Sequence, residues 1–199
     1  MSHLVVPPII IIGMHRSGTS MIARLLEGLG LYIGRRKNSN HEAMFFYSLN
    51  DWLLRQSGGA WDHPEPFNDL LGSSQVRALV VDYLRRIVAS PQVIGYLGLT
   101  NYLRYRSLQR FPVPWGWKDP RNTFTLPLWL ELFPGSRVIH IYRHGVDVAA
   151  SLRAREQMRL LQVEAHHTRC CRWRLYWFYR RRFRHTVPIK GLSLEAAFC

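Results

Sequence analysis

The segment Gly13-Met14-His15-Arg16-Ser17-Gly18-Thr19-Ser20 lies between an apolar run, Val5 to Ile12, and an amphipathic one, Met21 to Leu29. That order predicts a strand, a tight loop and a helix. Gly13 and Gly18 permit a sharp turn and a close approach of backbone to an anion, while the loop amides and the helix N-terminus direct partial positive charge at it. Arg16, Ser17, Thr19 and Ser20 add a cation and hydroxyl donors. A plain turn between a core strand and a core helix seldom needs these four side chains together, which favours an anion cradle. The spacing is close to the nucleotide-binding loop G-x-x-x-x-G-K-[ST]. Thr19, however, stands where that motif has its lysine, which argues against an NTP-hydrolysing loop.

With 199 residues, 47% of them hydrophobic, the chain suits a single domain with a sizeable core. No apolar run reaches the length of a membrane span, and the N-terminus lacks the order of a secretory signal, so a cytoplasmic location is expected. Cys170, Cys171 and Cys199 fit neither a disulfide framework nor a metal-ligand spacing, as in a reducing compartment. His166 and His167 are adjacent and would diverge by about 100° on a helix, so no metal is expected there. The formal net charge is +14, and residues 153–190 hold ten arginines and Lys190 against Glu156 and Glu164. Such a balance favours an anionic partner, whether nucleotide, sulfated or carboxylated glycan, nucleic acid or membrane surface, without choosing among them.

Along the chain, Phe45, Leu49 and Leu53 predict a helix over about 41–56. Gly58 to Gly72, with Pro64 and Pro66, reads as a loop, and Ser73 or Ser74 caps a helix that ends at Pro91. Val113 to Trp117 forms an edge or irregular strand running into Lys118-Asp119-Pro120-Arg121. A helix follows from about Thr123 to Pro134-Gly135, then a strand from Arg137 to Tyr142 and a helix from Val146 to Arg155. The expected fold is α/β: three layers, P-loop-like, with a mostly parallel central sheet flanked by helices. Ligands of such sheets bind at the carboxyl ends of the strands, where the Gly13 loop and Arg143 fall. One domain is expected over 1–199, with 153–190 as an Arg-rich helical segment inside it. Within that segment, Arg169 to His185, interleaved with Trp173, Trp177 and Phe178, reads by default as a solvated basic helix with its aromatics inward. Leu192 to Cys199 begins an amphipathic helix and stops after about two turns, the expectation being a chain truncated at its C-terminus.

These motifs, in this order, resemble the sulfotransferases that use 3′-phosphoadenosine 5′-phosphosulfate (PAPS), particularly bacterial members with G-x-x-R-S-G-T-S and K-D-P-R motifs, over roughly residues 5–152. The resemblance implies sulfuryl transfer from PAPS to a hydroxyl or amine acceptor, a small molecule or a glycan, with adenosine 3′,5′-bisphosphate as product and no metal. It implies that Gly13 to Ser20 holds the 5′-phosphosulfate, with Arg16 at the oxygen bridging phosphate and sulfate. It makes Arg143 and Ser151, in the segment Ile139 to Ser151, the holders of the 3′-phosphate; His144 departs from the Asp or Asn often found at its place. Glu42, nine residues before Asp51, falls on the position of a general base, with His41 as a substitute; a solvated glutamate at a helix start is the other reading. Lys118, Asp119 and Arg121 would support the cleft beside sulfate or acceptor, or form a structural ion-pair cluster. No nucleic acid is expected as partner, whereas peripheral contact with anionic surfaces fits the charge. The alternatives are a nucleotide kinase-like phosphotransferase, and a catalytically inactive basic binding module for glycan or nucleic acid.

Overall fold

A computed structural model describes residues 6–161. Cys170, Cys171, Cys199, His166, His167 and the segments Arg169 to His185 and Leu192 to Cys199 lie outside the described residues. The chain divides into two compact units, Met1–Leu152 and Arg153–Cys199. Of the second, residues 153–161 are described, helical and exposed. Among the described residues no helix is long and apolar enough to cross a membrane.

The first unit is built on three parallel strands, β1 (Ile9–Gly13), β2 (Gly116–Lys118) and β3 (Arg137–Ile141), in the order β2-β1-β3. β1 begins later than its apolar run because Pro7 and Pro8 have no amide hydrogen to give a ladder; the first pairing bond is Ile9 N–H to Trp115 O, 2.9 Å. Alternation along β1 separates two cores. Ile11 faces α1 (Thr19–Gly28), with Ala23, Leu31 and Ile33 around it. Ile10 and Ile12 face the opposite layer, formed by α2 (Met44–Gln56), α3 (Glu65–Gly72), α4 (Ser74–Ala89), α5 (Ile94–Leu97), α6 (Leu99–Tyr105) and α7 (Asn122–Leu132). There Phe46 of α2 stacks on Trp117 of β2 at 3.9 Å between ring centroids, and Trp129 of α7 meets Trp117 edge-on at 5.2 Å. The fold is thus α/β, a parallel sheet between helical layers, as its alternating pattern foretold.

The segment from Gly58 to Gly72 departs from its expectation, since its second half is α3. Pro64 precedes the helix and Pro66 sits in its first turn, where a missing amide hydrogen has no intrahelical partner to lose. Ser73 then caps α4 by accepting from Val76 N–H at 3.4 Å.

Polar groups cross the apolar layer in one connected network around the fully buried Asn50 of α2. Its Nδ2 donates to Asp119 Oδ2 (3.0 Å) and Asn122 Oδ1 (2.8 Å), and its Oδ1 accepts from Thr125 Oγ1 and Trp129 Nε1, both 2.9 Å. Asn122 also accepts from Trp117 Nε1 (3.0 Å) and donates to Ile11 O (3.2 Å). Every amide atom of Asn50 is used, and a leucine of similar size would take one hydrogen bond each from Asp119 Oδ2, Asn122 Oδ1, Thr125 and Trp129 inside the apolar layer. We expect Asn50→Leu to lower unfolding free energy in urea by about 3 kcal/mol, whereas Arg55→Ala, which removes an exposed ion pair with Asp51, changes it by less than about 1 kcal/mol.

Candidate functional site

At the end of β1 the chain turns through Gly13 (φ 141°), Arg16 (φ 68°) and Gly18 (φ 101°), with Ser17 N–H bonded to Met14 O at 3.1 Å. A Cβ on Gly13 would stand 2.4 Å from the carbonyl oxygen of Ile141, so glycine is what lets the loop spring from between β1 and β3. Gly18 is the N-cap of α1 and no side chain caps the helix, which leaves first-turn amides as donors at the carboxyl end of the sheet. Ser17, 7% exposed, has a buried Oγ with no hydrogen-bond partner among the described residues. A buried hydroxyl without a partner, inside a loop whose helix amides are uncapped, fits an anion with oxygen atoms to share.

Arginines close the loop on the β3 side. Arg16 Nε donates to Ser151 Oγ at 3.0 Å, and Arg143, just beyond β3, donates from its guanidinium to Arg16 O at 3.2 Å. Residues 145–152 are helical and carry Ser151 back over the loop. Asp147, 3.9 Å from Arg143 Nε, pairs with it loosely. Three expected site residues, separated by up to 135 positions in sequence, thus meet at one place.

On the β2 side the ammonium of Lys118 donates to Glu42 Oε1 (2.8 Å), Ser20 Oγ (3.2 Å) and Asn40 O (3.3 Å). Lys118 is 2% and Glu42 3% exposed, so Glu42 is not the solvated helix-start carboxylate that was one of its two readings. Asn38 completes the arrangement: its Oδ1 accepts from the amides of Asn40 and Glu42, both 3.0 Å, and its Nδ2 donates to Glu42 Oε2 at 2.6 Å. His41, in a left-handed conformation (φ 64°), turns to a different partner, its Nε2 lying 2.6 Å from Glu27 Oε2 on α1. Lys37 pairs with the other Glu27 oxygen. Burial would raise the Glu27 carboxyl, but hydrogen bonds and charge from Lys37 and His41 outweigh it and hold it below the ordinary value of 4.5.

Of Lys118-Asp119-Pro120-Arg121, Lys118 is the member bonded to the loop side. Asp119 Oδ1 accepts from Arg121 N–H (3.0 Å) and Nε (3.1 Å), and Arg121 continues to Asp51 Oδ1 at 2.7 Å with its guanidinium 3.9 Å above the Tyr47 ring. Burial would lower Arg121, yet the adjoining Asp119 carboxylate raises it, keeping the guanidinium charged. Asp119 and Arg121 therefore tie α2 to the end of β2. Sequence reading missed Asn38 and Glu27. Asn38 carried a signal in its place two residues before Asn40, the spacing of an Asx turn; Glu27, one charge on an amphipathic helix, carried none.

A glycine-bearing loop with uncapped helix amides thus lies at the carboxyl end of the central parallel strand, with arginines on one flank and a buried lysine–carboxylate pair on the other, the place where ligands of such α/β sheets bind. Residues 7–188 match the model of the sulfotransferase family, and the chain belongs to that family. Its class is therefore that of transferases, with sulfuryl transfer as the activity that membership supports. Comparison with curated proteins and with solved structures gave no match.

Because the Glu27 carboxyl is lowered in the folded state, the stability it contributes is complete above pH 4.5 and is lost as pH falls through its folded value. Thermal melts from neutral to acid pH should show Glu27→Gln less stable than the parent near neutrality, with the difference shrinking below pH 4.5. A constant difference across the range would remove Glu27 from the acid limb.

Proposed function

We propose that the chain transfers a sulfuryl group from PAPS to a hydroxyl or amine acceptor, releasing adenosine 3′,5′-bisphosphate. The observation that carries this is the meeting of Arg16, Arg143 and Ser151 above the Gly13 loop. On this reading two anions bind at one site, one to the loop amides, that of Ser20 included, with the Ser17 and Thr19 hydroxyls, the other to Arg143 with Ser151, which fits the phosphate groups at both ends of the PAPS ribose. The Ser20 hydroxyl itself donates to Asn40 O at 2.8 Å. When bound, the donor supplies sulfur held to the 5′-phosphate by an S–O bond, which breaks as the acceptor atom attacks. Arg16 and the loop amides meet the negative charge that grows on the leaving phosphate, and so stabilise the transition state more than the ground state. Glu42 receives the acceptor's proton. Lys118, held between Ser20 and Glu42, sets the carboxylate beside the loop, and Asn38 fixes its other oxygen. His41, engaged with Glu27, keeps the segment before α2 on α1.

Calorimetry should find adenosine 3′,5′-bisphosphate binding more tightly than ADP, with Arg143→Ala lowering the first affinity by about tenfold or more and leaving the second little changed. Equal affinity of the parent protein for the two nucleotides would remove the 3′-phosphate role and with it the donor assignment.

For the acceptor step, transfer of labelled sulfate to a panel of glycans, phenols and amines provides the assay. Glu42→Gln should retain nucleotide affinity and lose roughly 100-fold in turnover, with His41→Ala mild. The opposite ranking moves the proton acceptor to His41.

A further inference from the structure

We infer that a second site, apart from the Gly13 loop, binds a compact organic anion through Arg35. A cavity of about 480 Å³ opens beside the chain that follows α1, walled by Tyr32, Arg35 and Lys37 on one side and by Leu97, Leu99 and Thr100 on the other. None of the residues assigned to donor or proton transfer lines it. That volume suits a ligand of monosaccharide or aryl-acid size.

Its polarity is set by which groups are already used. The carbonyl oxygens that would repel an anion are taken: Tyr96 O accepts from Arg35 N–H at 2.7 Å and lies 2.9 Å from the Tyr32 hydroxyl. Leu97 O lies 2.9 Å from the same hydroxyl and accepts from Asn101 Nδ2 at 3.0 Å. Lys37 is bound to Glu27, so that acid is neutralised from inside the protein. The Arg35 guanidinium, by contrast, has no ion pair or hydrogen bond among the described residues, and neither has the Thr100 hydroxyl.

Arg35 is nevertheless held in place. Its backbone is pinned to Tyr96, and its stem lies against Gly98, where a Cβ would stand 3.0 Å from Arg35 Cδ. Gly98 has φ 78° and Gly34 φ 98°, so both walls turn where a side chain would be strained, and a Cβ on Gly34 would strike the Tyr96 ring at 2.7 Å. A guanidinium whose stem is positioned while its five donors are unspent suits a carboxylate or sulfate ester, with the exposed Leu99 beside the apolar body of the ligand.

Backbone NMR titration of the whole chain with benzoate, phenyl sulfate and uncharged benzyl alcohol tests this. The two anions should shift the amides of Gly98 and Thr100 and benzyl alcohol should not; the tighter anion identifies the head group preferred. Arg35→Ala should weaken anion binding by about tenfold or more, and Gly98→Ala, which displaces the stem, should weaken it too, both with circular dichroism unchanged. Arg143→Ala should leave it intact, which separates this site from the nucleotide reading whatever the fate of the latter. Full affinity in Arg35→Ala, equal loss in Arg143→Ala, equal binding of benzyl alcohol, or no anion binding at all would each overturn the assignment.

Discussion

A lysine ammonium buried at the end of a sheet strand must be paired, because removing the counter-charge of such a group costs about 3–5 kcal/mol, a large share of a domain's stability. Lys118 is in that position, and its three partners come from two segments: Ser20 on α1, and Asn40 and Glu42 in the stretch before α2. Meeting one electrostatic demand therefore joins the helix that carries the anion loop to the segment that carries the carboxylate. The position of Glu42 depends on it, since that carboxylate is held by Lys118 on one oxygen and Asn38 on the other.

Behind this pair stands a second buried polar system with a different task. Asp119, next in sequence to Lys118, is turned the other way along the strand and is satisfied by Arg121 and Asn50. Through Asn50, Asn122, Thr125 and Trp129 the network joins α2, α7 and Ile11 of β1. The extended backbone that leaves β2 sends neighbours to opposite sides, and so divides one short motif between the Glu42 side and the α2–α7 side. Rigid support of this kind matters at a site whose groups must be held to a fraction of an ångström.

Arg16, Arg143 and Ser151 show how a loop and a strand end are combined without being near in sequence. Gly13 pairs in register with Ile141, so the ends of β1 and β3 are level and the residues just past each are neighbours. The absence of a side chain at Gly13 gives the Ile141 carbonyl its place, and the loop can then lean toward Arg143. A level register of two parallel strands is thus what brings two separate motifs to one place.

By itself, the sequence determined the strand–loop–helix unit around Gly13, the second strand before Arg143, the α/β class and the candidates Arg16, Ser17, Arg143 and Ser151. These are local matters: glycine placement, apolar period and side-chain type act within a few residues. Tertiary structure alone decided that Glu42 is buried against Lys118 while His41 answers to Glu27, and that Arg121 serves Asp51 and Asp119. It also decided that Pro64 and Pro66 open a helix, and that Arg35 lies against Gly98 beside a cavity. A charged side chain takes the partner that burial brings within reach, and which partner that is depends on strand order and helix packing far along the chain, where no local pattern extends.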